Sequence, residues 1–273
     1  MPELPEVETV ARNLQKTVLG RTITQVRVLY GKAVEGATLE EFARGVQGQK
    51  ISGVGRRGKY LLIDLANGRR LAAHLRLSGR MIVSAPWEPI DKYAQVVFGL
   101  DDGRELRFGD VRKFGRIAFL GEREYSTLHR RLGVEPLSDD FTVEVLAEIL
   151  RGRKARIKPL LLDQKFIAGL GNIYADEALF LAGIHPAREA RSVSPEEMGR
   201  LHGAIRRVLA SSIANRGTTL VDYRNADGSR GNNRETLLVF RRTGQPCPRC
   251  GTAVERLKLG GRGTHICPKC QSE

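Results

Sequence analysis

The stretch Met1-Pro-Glu-Leu-Pro-Glu-Val-Glu8 opens the chain and predicts a helix that carries a reactive chain end. Removal of Met1 leaves a secondary amine on Pro2, and a neutral amine of this kind forms an iminium ion with an aldehyde-level carbon. Glu3 places a carboxyl group beside that amine. Pro5 suits the first turn of a helix, which also favours acidic side chains. From these residues alone, an ordinary helix start outweighs a catalytic terminus, so the function depends on what the rest of the chain binds.

The composition of the chain favours a polyanionic partner. Its 273 residues carry 45 Lys+Arg against 31 Asp+Glu, which gives a formal net charge of +14. Such an excess favours nucleic acid, with ribosomal association or plain solubility as alternatives. No apolar run approaches the ~18 residues of a membrane span, and no signal peptide precedes the acidic start. We therefore expect a cytoplasmic protein that acts away from membranes.

Two C-x-x-C pairs stand near the end of the chain, Cys247-Pro-Arg-Cys250 and Cys267-Pro-Lys-Cys270. Four thiolates on two tight turns are the ligand set of a closed, structural zinc site. Two disulfides are the alternative, which a cytoplasmic location disfavours. Between the pairs, two short strands around Leu259-Gly-Gly-Arg-Gly263 predict a hairpin with Arg262 near its tip. An arginine in that position is by default a phosphate contact.

The first half of the chain reads mostly as short strands. Alternating apolar residues predict strands at 22–30, 50–54, 60–65, 69–77, 81–84, 95–100, 105–108 and 116–120. Asn67-Gly68 and Asp102-Gly103 are hairpin turn signals. Thr38 and Glu41 are spaced as a capping box before a short helix over 39–46. The number and spacing of these strands indicate an antiparallel sandwich or barrel with flanking helices.

The pattern becomes helical after residue 133, with helices predicted at 141–151, 159–163, 172–182 and 195–215. Gly169-Leu-Gly-Asn172 is a tight turn before one of these helices, where backbone amides form an anion site; a sharp turn without a ligand is an even alternative. Residues 217–234, rich in Gly, Asn and Arg, predict a long mobile loop. We therefore expect a catalytic domain over 1–133, a helical DNA-binding domain over 134–240 that includes this loop, and a zinc finger over 241–273.

Five motifs together resemble one family along the whole chain. They are Pro2-Glu-Leu-Pro-Glu-Val-Glu8, Gly58-Lys59-Tyr60, Asp110-Val-Arg-Lys-Phe-Gly115, Gly169-Leu-Gly-Asn-Ile-Tyr-Ala-Asp-Glu177 and the terminal zinc finger. In this order they resemble the bacterial formamidopyrimidine-DNA glycosylases. The resemblance implies an α+β fold with an N-terminal antiparallel β-sandwich and flanking helices. It also implies a helix–two-turns–helix domain and a C-terminal β-hairpin zinc finger.

The resemblance further implies an enzyme of base-excision repair. The family removes 8-oxoguanine and formamidopyrimidines from duplex DNA and then cleaves the strand by β,δ-elimination. By resemblance, Pro2 is the nucleophile that forms a Schiff base with the sugar, and Glu3 is the proton donor. Lys59 reaches a phosphate or assists β-elimination, and Arg262 matches a residue linked to δ-elimination. One structural zinc ion, no organic cofactor and a monomer acting on double-stranded DNA with oxidised bases are implied as well.

Other residues match DNA contacts of the family. Base extrusion leaves a gap in the duplex, and Arg112 and Phe114 match two of the three side chains that fill it. The third is usually methionine, whereas this chain has Leu77; ordinary core packing is the alternative for Leu77 and Phe114. Three more side chains match phosphate contacts, namely His74, Lys154 and Asn172. Tyr93 stands where many relatives have histidine, so its DNA contact is a weaker expectation.

Two other functions remain open at this point. The first is an endonuclease VIII-like glycosylase for oxidised pyrimidines, which would use the same nucleophile. Leu4 and the Val7-Glu8 continuation favour the purine branch. The second is a non-catalytic DNA-binding zinc protein, in which the N-terminus is only a helix start. Borohydride trapping of a covalent complex with DNA separates an enzyme from such a protein.

Overall fold

The computed structural model describes residues 2–221 and 223–272, so the removal of Met1 expected from the sequence lies outside the described residues. The described chain divides into two compact units. The first contains the residues up to Arg130 together with Ile213–Arg234, and the second contains Arg131–Ser212 together with Glu235–Glu273. By its contacts, the segment 217–234 belongs to the first unit. The domain boundaries at residues 133 and 240 stay a prediction.

The first unit contains three helices and nine strands in its described part. In chain order they are α1 (Leu4–Val18), β1 (Ile23–Val28), β2 (Val34–Glu35), α2 (Leu39–Val46), β3 (Ile51–Arg57), β4 (Tyr60–Leu65), β5 (Arg70–His74), β6 (Gly79–Ser84), β7 (Ala94–Leu100), β8 (Glu105–Asp110), β9 (Arg116–Leu120) and α3 (Glu122–Arg130). The apolar residues of α1 recur at helical spacing, so they form one buried face. Through this face α1 packs against β3 and β4.

The strands of this unit form two sheets, with the orders β1-β7-β8-β6 and β2-β9-β5-β4-β3. Both sheets contribute to one apolar core. Phe42 of α2 stands in that core, its ring centroid 6.2 Å from that of Phe98 and 5.9 Å from that of Phe119. The expected antiparallel sandwich with flanking helices is confirmed. One short exception is β2, which pairs with β9 in parallel.

Helix α3 is an element that the sequence does not predict. None of its residues is fully buried, so it lacks the apolar stripe that reveals a helix in sequence. Tyr125 and Leu128 nevertheless pack against a small cluster on the five-stranded sheet that includes Leu62 and Leu120. The helix covers a partly buried patch instead of the main core.

The second unit contains three α-helices, all but the last two residues of a fourth, and a β-hairpin among its described residues. They are α4 (Val143–Leu150), α5 (Ile157–Leu162), α6 (Asn172–Ala182), α7 (Pro195–Ala214), β10 (Glu255–Leu259) and β11 (Arg262–Ile266). All four predicted helices are present. The first begins two residues later than predicted, because Thr142 is its N-cap and accepts a 3.3 Å hydrogen bond from the Val145 amide. Among the described residues, no helix is both long and apolar enough to cross a membrane.

The core of the first unit gives a direct test of the fold. Phe42→Ala removes a fully buried ring between two other aromatic rings. We expect the free energy of unfolding to fall by about 3–5 kcal/mol, measured by urea denaturation. Leu39→Ala on the same helix is the matched control, because Leu39 is 45% exposed and should cost less than about 1 kcal/mol. Equal losses in the two variants would contradict the described packing of α2.

Candidate functional site

The start of α1 is buried and tightly held. Pro2 is buried, and Glu3 and Glu6 are each 1% exposed. The Glu6 carboxylate accepts a 2.7 Å hydrogen bond from the Glu3 amide through Oε2 and a 2.8 Å hydrogen bond from the Thr218 amide through Oε1. One carboxylate therefore fixes the residue next to Pro2 and joins it to the segment 217–234. Glu3 is therefore held in place at the start of α1.

Lys59 lies in the turn between β3 and β4, and its side chain is buried. Strand β3 extends further than predicted, to Arg57, which pairs with Tyr60 and leaves only Gly58 and Lys59 in the turn. Gly58 has φ +56°, the conformation that glycine favours at the first position of a tight hairpin turn. The sequence predicts correctly that Lys59 lies on this hairpin. Because the turn has only two residues, the backbone of Lys59 has little conformational freedom.

An ion pair joins the Lys59 hairpin to α1. The Arg56 Nε lies 3.0 Å from Glu8 Oε2, and the Arg56 guanidinium also donates a 3.0 Å hydrogen bond to the Gly58 carbonyl. Burial acts to raise the pKa of Glu8, but the Arg12 and Arg56 guanidinium groups outweigh it and hold that pKa below its ordinary value. Glu8 is therefore ionised at neutral pH. The Arg56–Glu8 ion pair therefore holds the Lys59 turn against α1.

His74 pairs with Tyr60 across β4 and β5, next to the Lys59 turn. The two rings meet edge to face with centroids 4.8 Å apart. Burial, reinforced by the charges of Arg76 and Lys59, lowers the pKa of His74 to about 4. Its Nδ1 accepts a 3.0 Å hydrogen bond from the Arg76 amide, so the proton of the neutral ring lies on Nε2. His74 thus presents one N–H donor and no charge.

Two exposed apolar side chains stand on neighbouring loops of the first unit. Phe114 is 49% exposed and Leu77 is 38% exposed, so neither is a core residue. The Arg112 guanidinium lies over the Phe114 ring, 5.1 Å from its centroid. This pair follows β8, whereas Leu77 precedes β6. Large apolar side chains that are exposed on neighbouring loops favour a surface that meets a partner.

The buried Asp110 carboxylate holds these two loops together. It accepts hydrogen bonds from the amides of Phe114 at 2.8 Å and Gly115 at 2.6 Å. It also accepts a hydrogen bond from the Ser78 hydroxyl, beside Leu77. Asp110 belongs to one of the five motifs that resemble the family, but no role is predicted for it from the sequence. The signal was available, because an aspartate followed by a glycine-containing loop is typical of a side chain that caps backbone amides.

Tyr93 lies half-buried in the turn immediately before β7, and Lys92 Nζ stands 5.1 Å from the centre of its ring. Its carbonyl accepts a 3.0 Å hydrogen bond from the Asp110 amide. The structure therefore brings Tyr93 close to the backbone from which the Arg112–Phe114 loop departs. Its predicted DNA contact stays a prediction.

In the second unit, the hairpin tip is fixed to the start of α6. The Gly263 carbonyl accepts a 3.0 Å hydrogen bond from Asn172 Nδ2 and a 3.3 Å hydrogen bond from Lys158 Nζ. Lys158 is fully buried and pairs with Asp176, with Nζ 2.6 Å from Oδ1. The side chain of Arg262, next to Gly263, remains exposed, and Lys154 is exposed as well. Asn172 therefore lies close to Arg262. The exposed Arg262 guanidinium extends from a backbone that Asn172 and the buried Lys158 hold at the neighbouring Gly263.

The four cysteine sulfurs form a compact cluster at the base of the same hairpin. All four lie within 4.8 Å of one another, with Cys247 Sγ 3.9 Å from Cys270 Sγ and Cys250 Sγ 3.5 Å from Cys267 Sγ. A disulfide needs about 2.05 Å, so the alternative of two disulfides does not fit. Tetrahedral Zn–S bonds of about 2.3 Å place sulfurs just under about 4 Å apart. The cluster therefore fits one structural zinc ion.

Comparisons with known proteins agree along the whole length of the chain. Family models match the formamidopyrimidine-DNA glycosylase N-terminal domain over residues 1–117, the H2TH domain of the same enzymes over 132–223 and a zinc finger found in FPG and IleRS over 244–272. A formamidopyrimidine-DNA glycosylase of Herpetosiphon aurantiacus is 50% identical, and the match covers 100% of both chains. The chain belongs to the formamidopyrimidine-DNA glycosylase family.

Solved structures of this family share the fold. A Lactococcus lactis FPG mutant in complex with a Fapy-dG containing DNA matches with a TM-score of 0.94 at 36% identity, covering 100% of both chains. The wild-type Lactococcus lactis FPG in complex with an oxidised pyrimidine containing DNA matches with a TM-score of 0.93 at 36% identity, again over 100% of both chains. The expected α+β fold, with an H2TH domain and a terminal zinc finger, is confirmed.

The zinc centre predicts a specific loss on mutation. Cys250→Ser leaves three thiolates, so the bound zinc measured by elemental analysis should fall well below one ion per chain. Because β10 and β11 lie between the two ligand pairs, affinity for duplex DNA should fall by about tenfold or more in a fluorescence anisotropy titration. Ser138→Ala, away from the finger, is the control and should retain full zinc. A full zinc content in Cys250→Ser would contradict the ligand assignment.

The environment of His74 predicts its titration. In the DNA-free protein, the ring should remain neutral at pH 7 and titrate with a pKa of about 4, measured by NMR with His74→Gln as the assignment variant. Since the folded pKa lies below the ordinary value of about 6.5, the unfolded chain binds the extra proton. The contribution of His74 to stability is therefore complete above about pH 6.5 and is lost as the pH falls toward 4. A pKa near 6.5 would refute the buried, cation-flanked environment.

Proposed function

We propose that this protein is a bifunctional DNA glycosylase and lyase that removes oxidised purines, 8-oxoguanine and formamidopyrimidines, from duplex DNA. The observation that carries the proposal is the buried Pro2-Glu3 chain end, which Glu6 fixes within the first unit. A fixed secondary amine beside a carboxyl group suits covalent attack on a sugar carbon. The net charge of +14 suits a DNA substrate.

The proposed chemistry starts at the amine of Pro2. Its lone pair forms a bond to the anomeric carbon, and the damaged base leaves with the electron pair of the glycosidic bond and takes up a proton from Glu3. The amine nitrogen then gives up its proton, and its lone pair forms the second bond to the anomeric carbon as the bond from that carbon to the ring oxygen breaks. The ring oxygen takes up the proton as a hydroxyl, so the opened sugar is joined to Pro2 as an iminium ion. Because the amine is secondary, this ion is positively charged without further protonation and withdraws electrons from the neighbouring carbons. Two successive eliminations release the 3′ and 5′ phosphates.

Lys59 and Arg262 are proposed to act on charges around this reaction. The Lys59 side chain, held on its two-residue turn, would contact a phosphate or assist the first elimination. The Arg262 guanidinium does not give up its proton at physiological pH, so its proposed role is to bind phosphate and stabilise the departing group. Its exposure on the hairpin supports such a contact. His74, Lys154, Asn172 and Tyr93 are proposed as further contacts to the DNA backbone.

Arg112, Phe114 and Leu77 are proposed to fill the gap that base extrusion leaves. Extrusion costs a few kcal/mol of stacking, and exposed apolar groups recover part of it. Phe114 with its stacked Arg112 would enter the stack, and Arg112 would face the orphaned base. Leu77 is a shorter and more branched plug than methionine. We infer from the DNA substrate that the protein works on the bacterial nucleoid.

A second substrate class, oxidised pyrimidines, deserves a parallel assay because the Lactococcus lactis FPG was solved with DNA containing one. Cleavage of 8-oxoguanine and thymine-glycol duplexes under identical conditions separates the two branches. The purine proposal expects the larger kcat/KM on 8-oxoguanine. A clear preference for thymine glycol would overturn it in favour of an endonuclease VIII-like enzyme.

Borohydride trapping tests the nucleophile directly. The wild-type protein should form a covalent complex with 8-oxoguanine or abasic DNA that survives denaturing electrophoresis. A variant that retains Met1 has no free amine at Pro2, and its trapping should fall by more than about 100-fold. Pro2→Gly keeps a primary amine and should be weakened without being abolished. Full trapping with Met1 retained, verified by mass spectrometry, would refute Pro2 as the nucleophile.

A further inference from the structure

Arg56 connects two elements of the first unit, α1 and the turn between β3 and β4. Its Nε lies 3.0 Å from Glu8 Oε2 on α1, and its Nη1 donates a 3.0 Å hydrogen bond to the Gly58 carbonyl in the turn. The Arg56 side chain is 9% exposed, so water competes little with either contact. One guanidinium group therefore joins the helix that follows Pro2 to the turn that contains Lys59.

The shape of the guanidinium group makes this double contact possible. Its N–H donors lie in a rigid, planar fork, so it bonds to Glu8 and Gly58 at the same time. A lysine ammonium is a compact point charge on a flexible stem, and it cannot occupy both positions. Arg56 pairs with Leu61 in the β3–β4 ladder, so its own backbone is fixed as well. The position of the turn relative to α1 therefore depends on one planar side chain.

Glu8 has a second arginine partner on its own helix. Arg12 Nε lies 2.7 Å from Glu8 Oε1, and the Arg12 side chain is 60% exposed. This pair joins residues about one helical turn apart within α1, so it contributes little to the position of the β3–β4 turn. If either Arg12 or Arg56 is replaced, the Glu8 carboxylate keeps the other guanidinium. The contact with the turn can therefore be removed without leaving Glu8 unpaired.

The position of Lys59 depends on this turn. Gly58 and Lys59 are the two residues between the paired Arg57 and Tyr60, so a shift of the Gly58 carbonyl also moves the Lys59 backbone. The Lys59 side chain is buried, so packing leaves it little freedom to compensate for such a shift. Burial is the main cause of the low pKa of His74, and the Lys59 charge adds to it, which places the ammonium near that ring. The location of the Lys59 ammonium is thus set by the turn.

We propose that Arg56 is a positioning residue for the reaction at Pro2, which acts by fixing the Lys59 turn against α1. This inference rests on the proposed function, in which Lys59 contacts a phosphate or assists the first elimination. Pro2 precedes α1 and Lys59 stands in the turn, so the contacts of Arg56 with both elements set the separation of nucleophile and cation. Reaction rates respond steeply to such separations, because a displacement of about 1 Å can cost about 100-fold.

A double-mutant cycle separates this role from a general contribution of Arg56 to folding. If Arg56 acts through Lys59, its replacement changes the rate only while the Lys59 ammonium is present. If Arg56 only supports the fold, its replacement lowers the rate by the same factor whether or not that ammonium is present. The cycle therefore measures the dependence of one residue on the other, which a purely structural role does not produce.

The experiment compares the wild-type full-length protein with Arg56→Met, Lys59→Met and the double variant under single-turnover conditions. One duplex contains a preformed abasic site, on which denaturing electrophoresis measures strand cleavage. The other contains 8-oxoguanine opposite cytosine, on which alkaline cleavage measures base excision. We expect Arg56→Met to slow, by about tenfold, whichever step Lys59→Met slows. In the Lys59→Met background, Arg56→Met should change that rate by less than about twofold.

Arg12→Met is the matched control, because it removes the other guanidinium from the same Glu8 carboxylate and leaves the contact of Arg56 with the turn in place. Its rates should stay within about twofold of wild type. Arg56→Lys keeps a positive charge beside Glu8 but lacks the second arm of the fork. It should show the same loss, and it decides the question if a thermal melt shows that Arg56→Met does not fold.

The outcomes are distinct. A loss in Arg56→Met or Arg56→Lys that disappears in the Lys59→Met background supports the proposal. Equal losses in both backgrounds, unchanged rates in a folded variant, or an equal loss in Arg12→Met overturn it and leave the glycosylase function in place. Unchanged rates in Lys59→Met overturn it as well, because no role of Lys59 then remains for Arg56 to support. A wild-type protein inactive on both duplexes would refute the proposed function itself.

Discussion

The Glu6 carboxylate accepts hydrogen bonds from two backbone amides that lie far apart in the sequence, those of Glu3 and Thr218. Hydrogen bonds to a charged acceptor contribute about 1.5–3 kcal/mol each, and at 1% exposure water does not replace them. The chain end, α1 and the segment 217–234 therefore form one connected structure. Glu3 held in this way has little conformational freedom, and the proposed chemistry at the neighbouring Pro2 depends on that order.

In the second unit, too, buried polar groups attach segments that are far apart in the sequence. Its hairpin is held at one end by the four-cysteine cluster and at the other by the Gly263 carbonyl, which binds Asn172 and the buried Lys158. The Lys158–Asp176 pair is fully buried, so replacing Asp176 would leave the buried Lys158 ammonium without its anion. These two attachments define the orientation of the short hairpin. Arg262 is thus presented from a fixed backbone.

The sequence predicted the structure correctly where neighbouring residues determine it. The periodicity of α1, the capping box before α2 and the two C-x-x-C pairs each specify their structure through neighbouring residues. The sequence did not predict contacts between segments that are far apart along the chain. Nothing near Tyr223 indicates that its hydroxyl meets Glu6, and composition alone made the surrounding segment look like a free loop. Helix α3 was missed for a related reason, because a helix that covers only a small apolar patch carries no clear stripe.

Asp110 makes the Arg112–Phe114 loop rigid before any partner arrives. The backbone entropy of ordering such a loop is about 1–2 kcal/mol per residue, and here it is lost on folding instead of on binding. A surface that is already ordered can enter a gap without first adopting a new shape, so its affinity is reduced less by ordering. The same carboxylate also holds Ser78, which gives the Leu77 loop a common support. This order has a kinetic consequence for the side chains proposed to fill the gap, Arg112, Phe114 and Leu77. A rigid loop would enter most easily, and the protein would stay longest, at base pairs whose stacking is already weakened.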